Sequence, residues 1–288
     1  MIIGHQKQWR FLVESAKINK LPHALLFSGP EKIGKKTLAL EFLSYVFKSP
    51  LKNHPDFIFL SPINEEIKIS QIKELISKIS LKRSFAPFKG VIIDRAHLMN
   101  FQAQNCFLKT LEEPLGKTVF ILITENEARL LPTILSRCQI IKFFPLPQKE
   151  IEKIFKERGF QKETAEKLAE FCSGRPGVAF DLISSPQKIK FYKKTIFDLI
   201  SLFEKNLDQR FQYVKEITEN CNEILKIWLF YLRDILKKKL EGREPEKFKN
   251  LSLKRLKNII EFIQETFFLT SNFNINKKLA LENLMLKL

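Results

Sequence analysis

Between an apolar run at His23 to Ser28 and a helix-forming stretch from residue 35 stands Gly29-Pro30-Glu31-Lys32-Ile33-Gly34-Lys35-Lys36-Thr37. The spacing G-x-x-x-x-G-K, set between a strand and a helix, is that of a phosphate-binding loop. Backbone N–H groups of such a loop, together with the positive end of the helix behind it, surround a phosphate, and Lys35 reaches the outer phosphates. The loop needs a strand in front and a helix behind, so it commits this part of the chain to an α/β fold.

The surrounding pattern agrees. Up to about residue 145 short apolar runs alternate with helical periodicity, the signature of a parallel sheet flanked by helices. Strands are expected at His23 to Ser28, Asp56 to Ser61, Gly90 to Asp94, Thr118 to Thr124 and Gln139 to Phe143. Helices are expected near residues 5 to 19, 35 to 48, 69 to 82 and 97 to 113. After Pro145-Leu146-Pro147 the strand signal stops. Ile151, Ile154, Phe155, Ala165, Leu168 and Phe171 then recur at helical spacing, Ser173-Gly174-Arg175-Pro176-Gly177 interrupts them, and Ser184-Ser185-Pro186 marks a second boundary. The expected division is a nucleotide-binding-like domain over 1–146, a small helical domain over 147–186 and an all-helical domain over 187–288.

Composition narrows the class. With 44% hydrophobic and 28% charged residues the chain has the make-up of a folded protein. Its formal charge of +17 favours polyanionic partners, although the lysines are spread through almost every expected helix, so the basicity reads equally as a bias of the whole chain. Cys106, Cys138, Cys172 and Cys221 stand 32 to 49 residues apart, which suits neither a metal knuckle nor a disulfide scaffold, and they are expected to be reduced thiols. Met1-Ile2-Ile3-Gly4-His5-Gln6-Lys7 lacks the build of a signal peptide, and no apolar run is long enough to span a bilayer. A cytoplasmic protein without membrane association is expected.

The loop has flaws as an enzyme. The residue after Lys35 should be Ser or Thr, whose hydroxyl ligates magnesium. Here it is Lys36, which has no lone pair to offer a cation, and Thr37 lies about 100° further round the helix. The strand Val91-Ile92-Ile93-Asp94 ends in a carboxylate suited to hold magnesium through water, or else to cap a helix starting near Ala96. The next position, where a hydrolytic site places a glutamate base, holds Arg95, which accepts no proton.

Three further motifs follow in order: Pro22-His23-Ala24-Leu25-Leu26-Phe27-Ser28-Gly29-Pro30, Leu111-Glu112-Glu113-Pro114 and Leu131-Pro132-Thr133-Ile134-Leu135-Ser136-Arg137-Cys138. With the stretch Ala96 to Glu113 and with His54-Pro55-Asp56, they strongly resemble the bacterial clamp-loader subunits of the AAA+ class, and within them the delta-prime branch. The likeness covers residues 3 to about 180. It implies a P-loop (AAA+) sheet domain followed by a helical lid and a helical collar, in a hetero-pentamer that loads a sliding clamp onto primer-template DNA as part of the DNA polymerase III holoenzyme. The implied partners are the gamma/tau and delta subunits, the sliding clamp and DNA.

The resemblance implies that Arg137 reaches into the ATP site of a neighbouring motor subunit as an arginine finger, against the alternative that it pairs with a local carboxylate. It also implies that Gly29, Gly34, Lys35, Lys36, Thr37, Asp94 and Thr124 stand at the nucleotide positions, Thr124 where active subunits polarise the terminal phosphate. Several positions depart from the pattern. Lys32 replaces a usual glycine, Gly177 stands near the place of a sensing arginine with Arg175 two residues off, and Phe47 to Asn53 holds no cysteine where many relatives carry a zinc module. Weak ATP binding without turnover, compromised magnesium placement and no zinc are therefore expected. The alternative is a gamma/tau-like motor subunit or another AAA+ DNA-remodelling ATPase. In the C-terminal region the resemblance rests on length and helicity alone, and Trp228 and Phe267-Phe268-Leu269 are either core or subunit-interface residues.

Overall fold

The central strands bury both of their faces. In this computed structural model, which describes residues 4–81, 86–114, 116–272 and 275–288, β1 (Ala24–Ser28), β2 (Phe57–Leu60), β3 (Lys89–Ile93), β4 (Thr118–Thr124) and β5 (Gln139–Lys142) form one parallel sheet in the order β2-β3-β4-β1-β5. Successive side chains alternate between two cores. Leu25 and Phe27 of β1, Ile92 of β3, and Val119, Ile121 and Ile123 of β4 join Leu12 of α1 (Gln6–Lys17) and Leu38, Phe42 and Leu43 of α2 (Lys35–Phe47). Leu26, Val91, Ile93, Phe120 and Leu122 point the other way. They meet Ile72 and Leu75 of α3 (Ile69–Ser80), Phe107 and Leu111 of α4 (Phe101–Glu112), and Ile134 of α5 (Pro132–Leu135). Two buried faces explain why these strands read as unbroken apolar runs and not as alternating ones.

Strands fall within a residue or two of expectation. The helix expected over 97 to 113 is broken: a single 3-10 turn, Ala96–Leu98, precedes α4, and Met99 between them is extended. Asn100 causes the break. Its N–H donates to Ile67 O at 3.1 Å and its Oδ1 accepts from Ala103 N at 2.8 Å, so it caps a new helix instead of continuing an old one. The expected end of the third helix at Lys82, and Met1 to Ile3, lie outside the described residues.

His54-Pro55-Asp56 is a structural device. The buried Asp56 carboxylate accepts from Ala86 N at 2.9 Å, and its carbonyl accepts from Gly90 N, which fixes how the chain enters β2 beside β3. The His54 ring packs on Phe47.

By compactness the chain falls into two units, Met1–Ile154 with Gly174–Val178, and Phe155–Ser173 with Ala179–Leu288. The second is all-helical. Its main elements are α7 (Lys162–Cys172), α9 (Pro186–Leu202), α10 (Leu207–Ile217), α11 (Cys221–Leu240), α12 (Leu253–Asn272) and α13 (Lys277–Lys287), with α6 (Gln148–Glu157) and α8 (Pro176–Ser184) running across the division. Leu225, Trp228, Leu232 and Ile235 make one buried stripe of α11 at three- and four-residue spacing. Trp228 is wholly buried, donates to Thr195 O at 3.1 Å and stacks on Tyr213, so it is core and not interface. Of the phenylalanine pair, Phe268 is exposed. The four cysteines are free, Cys172 and Cys221 buried and the others half-buried.

One buried charge holds the layers together. Lys89, at the start of β3, donates to the carbonyls of Lys78 at 2.9 Å, Ile79 at 3.0 Å and Leu81, so its ammonium caps the C-terminal end of α3. Lys89→Met keeps the aliphatic stem but leaves these carbonyls without their donor. We expect it to lower unfolding free energy by about 2–3 kcal/mol in urea titrations; a variant as stable as the parent would show that the cap contributes nothing.

Candidate functional site

Strand order gathers the site. β4 is inserted between β1 and β3, so the carboxyl ends of three neighbouring strands lie side by side, at the crevice where open α/β sheets bind ligands. Ser28 is level with Thr124 and Ile93 with Leu122. Beyond these ends come Gly29, Asp94 and the turn after Thr124. Of the residues singled out from sequence, Gly29, Gly34, Lys35, Lys36, Asp94 and Thr124 are thus brought to one edge of the sheet. Thr37 is exposed one position further along α2.

The loop has the shape its motif requires. Gly34, at φ 105°, stands just ahead of α2, where its left-handed backbone suits glycine. Lys32 takes φ 60°, a conformation glycine adopts without penalty and lysine does not. Its carbonyl accepts from Gly177 N at 2.8 Å, and a Cβ on Gly177 would lie 2.7 Å from that same oxygen. The residue at the place of a sensing arginine is therefore a glycine that lets backbone close on backbone. Arg175 is buried two residues before it. On the other side of the loop, His5 donates from Nε2 to Ile33 O at 2.9 Å and packs edge-on against Phe143.

The lysines define the electrostatics. Lys35 is buried and donates to Gly29 O at 2.5 Å and Pro30 O at 2.6 Å; burial pushes its amine down to about 8, so it stays mostly charged at neutral pH. Lys36 is exposed, yet its ammonium lies 3.1 Å from Asp94 Oδ2 and 4.4 Å from the centre of the Phe59 ring. Asp94 does not cap the turn that follows. The cap position is Arg95, at φ 49° and without a side-chain cap bond. The residues present do not fit a magnesium ion: an ammonium occupies the place of the hydroxyl ligand and engages Asp94, the carboxylate just past β3. Among the described residues no three His, Cys, Asp or Glu side chains converge as metal ligands elsewhere.

Thr124 is fully buried, and its hydroxyl is engaged in the turn, donating to Asn126 O at 3.0 Å and accepting from Asn126 N at 3.1 Å. Arg137 stands apart from this cluster at the corner between α5 and β5, the edge strand. It pairs with Glu112 at 2.6 Å and donates to Thr133 O at 2.9 Å, with about a third of its side chain open to solvent. The local-carboxylate reading is thus observed; Glu112 belongs to the Leu111-Glu112-Glu113-Pro114 motif.

Residues 4–147 match the family model described as DNA polymerase III, delta subunit. This chain belongs to that family. Among its relatives, the DNA polymerase III subunit delta' of Bacillus subtilis is 35% identical over 176 residues, covering 56% of this chain and 54% of that protein. The subunit delta' of Pseudomonas aeruginosa is 34% identical over 170 residues, 52% of each chain. The chain thus spans about half the length of the curated relatives it matches. A DNA polymerase III gamma subunit-related protein of Thermotoga maritima shares the fold, with a TM-score of 0.58 at 21% identity over 96% of this chain and 97% of that one.

Within this family frame two residues emerge that sequence reasoning did not single out. Gln104 of α4 is buried; it donates to Met99 O and Arg129 O, each at 3.0 Å, and accepts from Leu131 N at 2.8 Å. It ties α4 to the segment that leads into α5 and Arg137. Only an amide both donates and accepts here, but in sequence it was one polar residue among several in a helix.

His97 is the second. Its Nδ1 accepts from Glu125 N at 3.4 Å, and burial first, then the charges of Arg129, Lys35 and Arg95, push its pKa down to about 4. It is neutral in the fold and charged in the unfolded chain below about 6.5, so its contribution to stability is present above that value and is lost as pH falls toward about 4. Allowing for partial solvent screening, the loss is on the order of 2 kcal/mol. His5, also pushed down by burial, acts in the same direction. Urea unfolding from about pH 7.5 to about pH 4.5 should give a flatter profile for His97→Gln than for the parent, and parallel profiles would exclude His97 as the source.

Proposed function

We propose that this chain is a non-hydrolysing clamp-loader subunit that helps place a sliding clamp on primer-template DNA and supplies Arg137 in trans to the ATP site of a neighbouring motor subunit. The observation that carries the reading is the contrast between its two charged centres. Its own nucleotide site has Lys36 and Arg95 at the positions of the metal ligand and the base, with Lys36 turned onto Asp94. Arg137, by contrast, is presented at the sheet's edge on a short helix-to-strand corner, where it pairs with the partly exposed Glu112 carboxylate and donates to Thr133 O.

A guanidinium offered from such a corner can leave Glu112 for the developing charge on a transferring phosphoryl group. The lid over 147–186 and collar over 187–288 would serve assembly with gamma/tau and delta-type subunits into a hetero-pentamer. ATP binding at the chain's own loop would be weak and without turnover, with Gly29, Gly34, Lys35 and Thr124 around the phosphates and no contribution from Thr37. An autonomous motor would need a base after Asp94, and Arg95 is none.

Steady-state ATPase decides between these readings. The purified chain alone should show no turnover, and the reconstituted mixture with motor subunit, delta, clamp and primed DNA should be stimulated by it. Arg137→Ala should lower turnover at the one neighbouring site on the order of 10³-fold, whereas Lys35→Ala should leave the assembled activity nearly unchanged. Full activity of the Arg137 variant would end the trans role. Turnover by the isolated chain would put the autonomous motor in its place.

A further inference from the structure

We infer that Lys36 stands in for the divalent cation of this phosphate loop, so that the site binds a nucleoside triphosphate free of metal. The inference rests on reading residues 29–37 as a phosphate loop and is independent of Arg137, so either can fail alone. Three observations carry it. Lys36 occupies the first-turn position of α2 where a metal-binding loop places a hydroxyl. Although its side chain is half-exposed, its ammonium lies between the Asp94 carboxylate just past β3, at 3.1 Å, and the face of Phe59 of β2, at 4.4 Å, partners that set the charge at the sheet's carboxyl edge. And Asp94, the carboxylate just past β3, is largely buried, with 15% of its side chain open.

A magnesium ion entering here would meet a like charge in contact with the carboxylate it needs. At an effective dielectric of about 20, a dication and an ammonium about 4 Å apart repel by many times the thermal energy. A triphosphate does not meet that barrier. Its fully ionised form presents more negative charge to Lys35, to Lys36 and to the loop N–H groups than the magnesium complex does, and Lys36 can turn to it from Asp94 without breaking the loop. A lysine gives its charge from a flexible stem but no coordination geometry, so it neutralises phosphate without orienting a water for attack. That makes the device one for holding a nucleotide, with no hydrolytic step.

The test is equilibrium binding of ATP to the full chain, in excess EDTA and in excess magnesium, for the parent and for Lys36→Thr. The parent should bind at least as tightly in EDTA as in magnesium. Lys36→Thr restores a hydroxyl and frees Asp94, and should bind about tenfold or more tightly with magnesium than without it. Lys36 is exposed, so both proteins should unfold at the same temperature, which is checked first. The inference is overturned if the parent needs magnesium, if it binds no ATP in either condition, or if Lys36→Thr stays indifferent to the metal.

Discussion

Strand β4 is hydrogen-bonded along both edges, to β1 on one side and to β3 on the other, and every residue from Thr118 to Thr124 is buried. Each face of this strand is covered by a separate apolar core, so its register cannot slip by one residue without turning Phe120 and Leu122 into the core built for Val119, Ile121 and Ile123. That fixed register is what sets Gly29, Thr124 and Asp94 at neighbouring strand ends, although they are far apart in sequence. The helices then follow from the faces they cover, and the loop's geometry follows from where β1 ends and α2 begins.

On this frame, charge decides what the site can do. In the proposed reading, a phosphate loop with one lysine and a hydroxyl recruits a metal, whereas two adjacent lysines, the second laid on the Asp94 carboxylate just past β3, make a cationic cradle. Lys35 remains charged near neutral pH although burial weakens it, and His97 beside the same edge is kept neutral, which limits the positive charge gathered there. In the proposed reading these groups serve binding: Lys35, Lys36 and Arg95 are cations, and Asp94 is paired with Lys36.

Much of this was legible in the sequence because the signals are local. Unbroken apolar runs announce strands buried on both faces, and a glycine-rich loop between strand and helix announces its own backbone. Lys36 and Arg95 are visible as the wrong side chains at known positions. The partnership of Lys36 with Asp94 and Phe59 was not legible, because it joins α2, β2 and the turn after β3 through a sheet order that periodicity does not encode. The break at Asn100 was missed for the opposite reason: helical spacing continues through it, and only the tertiary bond to Ile67 turns the residue into a cap. Trp228 illustrates a third limit. A large aromatic on a helical stripe suits core and interface equally, until Thr195 O and the Tyr213 ring are found waiting for it.

Arg137 shows how two readings that compete in sequence cease to compete in three dimensions. Its contact with Glu112 is the local pairing that would have counted against a role in trans. Yet an ion pair between partly exposed groups contributes only roughly 0–1 kcal/mol, because water and salt serve each partner almost as well. Such a pair does not immobilise the guanidinium. With the bond to Thr133 O, it holds the side chain at a corner whose backbone is fixed by the bonds of Ser136 N to Pro132 O and Arg137 N to Ile134 O, at 2.9 and 3.1 Å. A phosphoryl group carrying more than one negative charge, in a site that excludes water, is a stronger partner for the same fork of donors than Glu112 is. Under the role in trans proposed for Arg137, Glu112 is a holder of the guanidinium that can give it up.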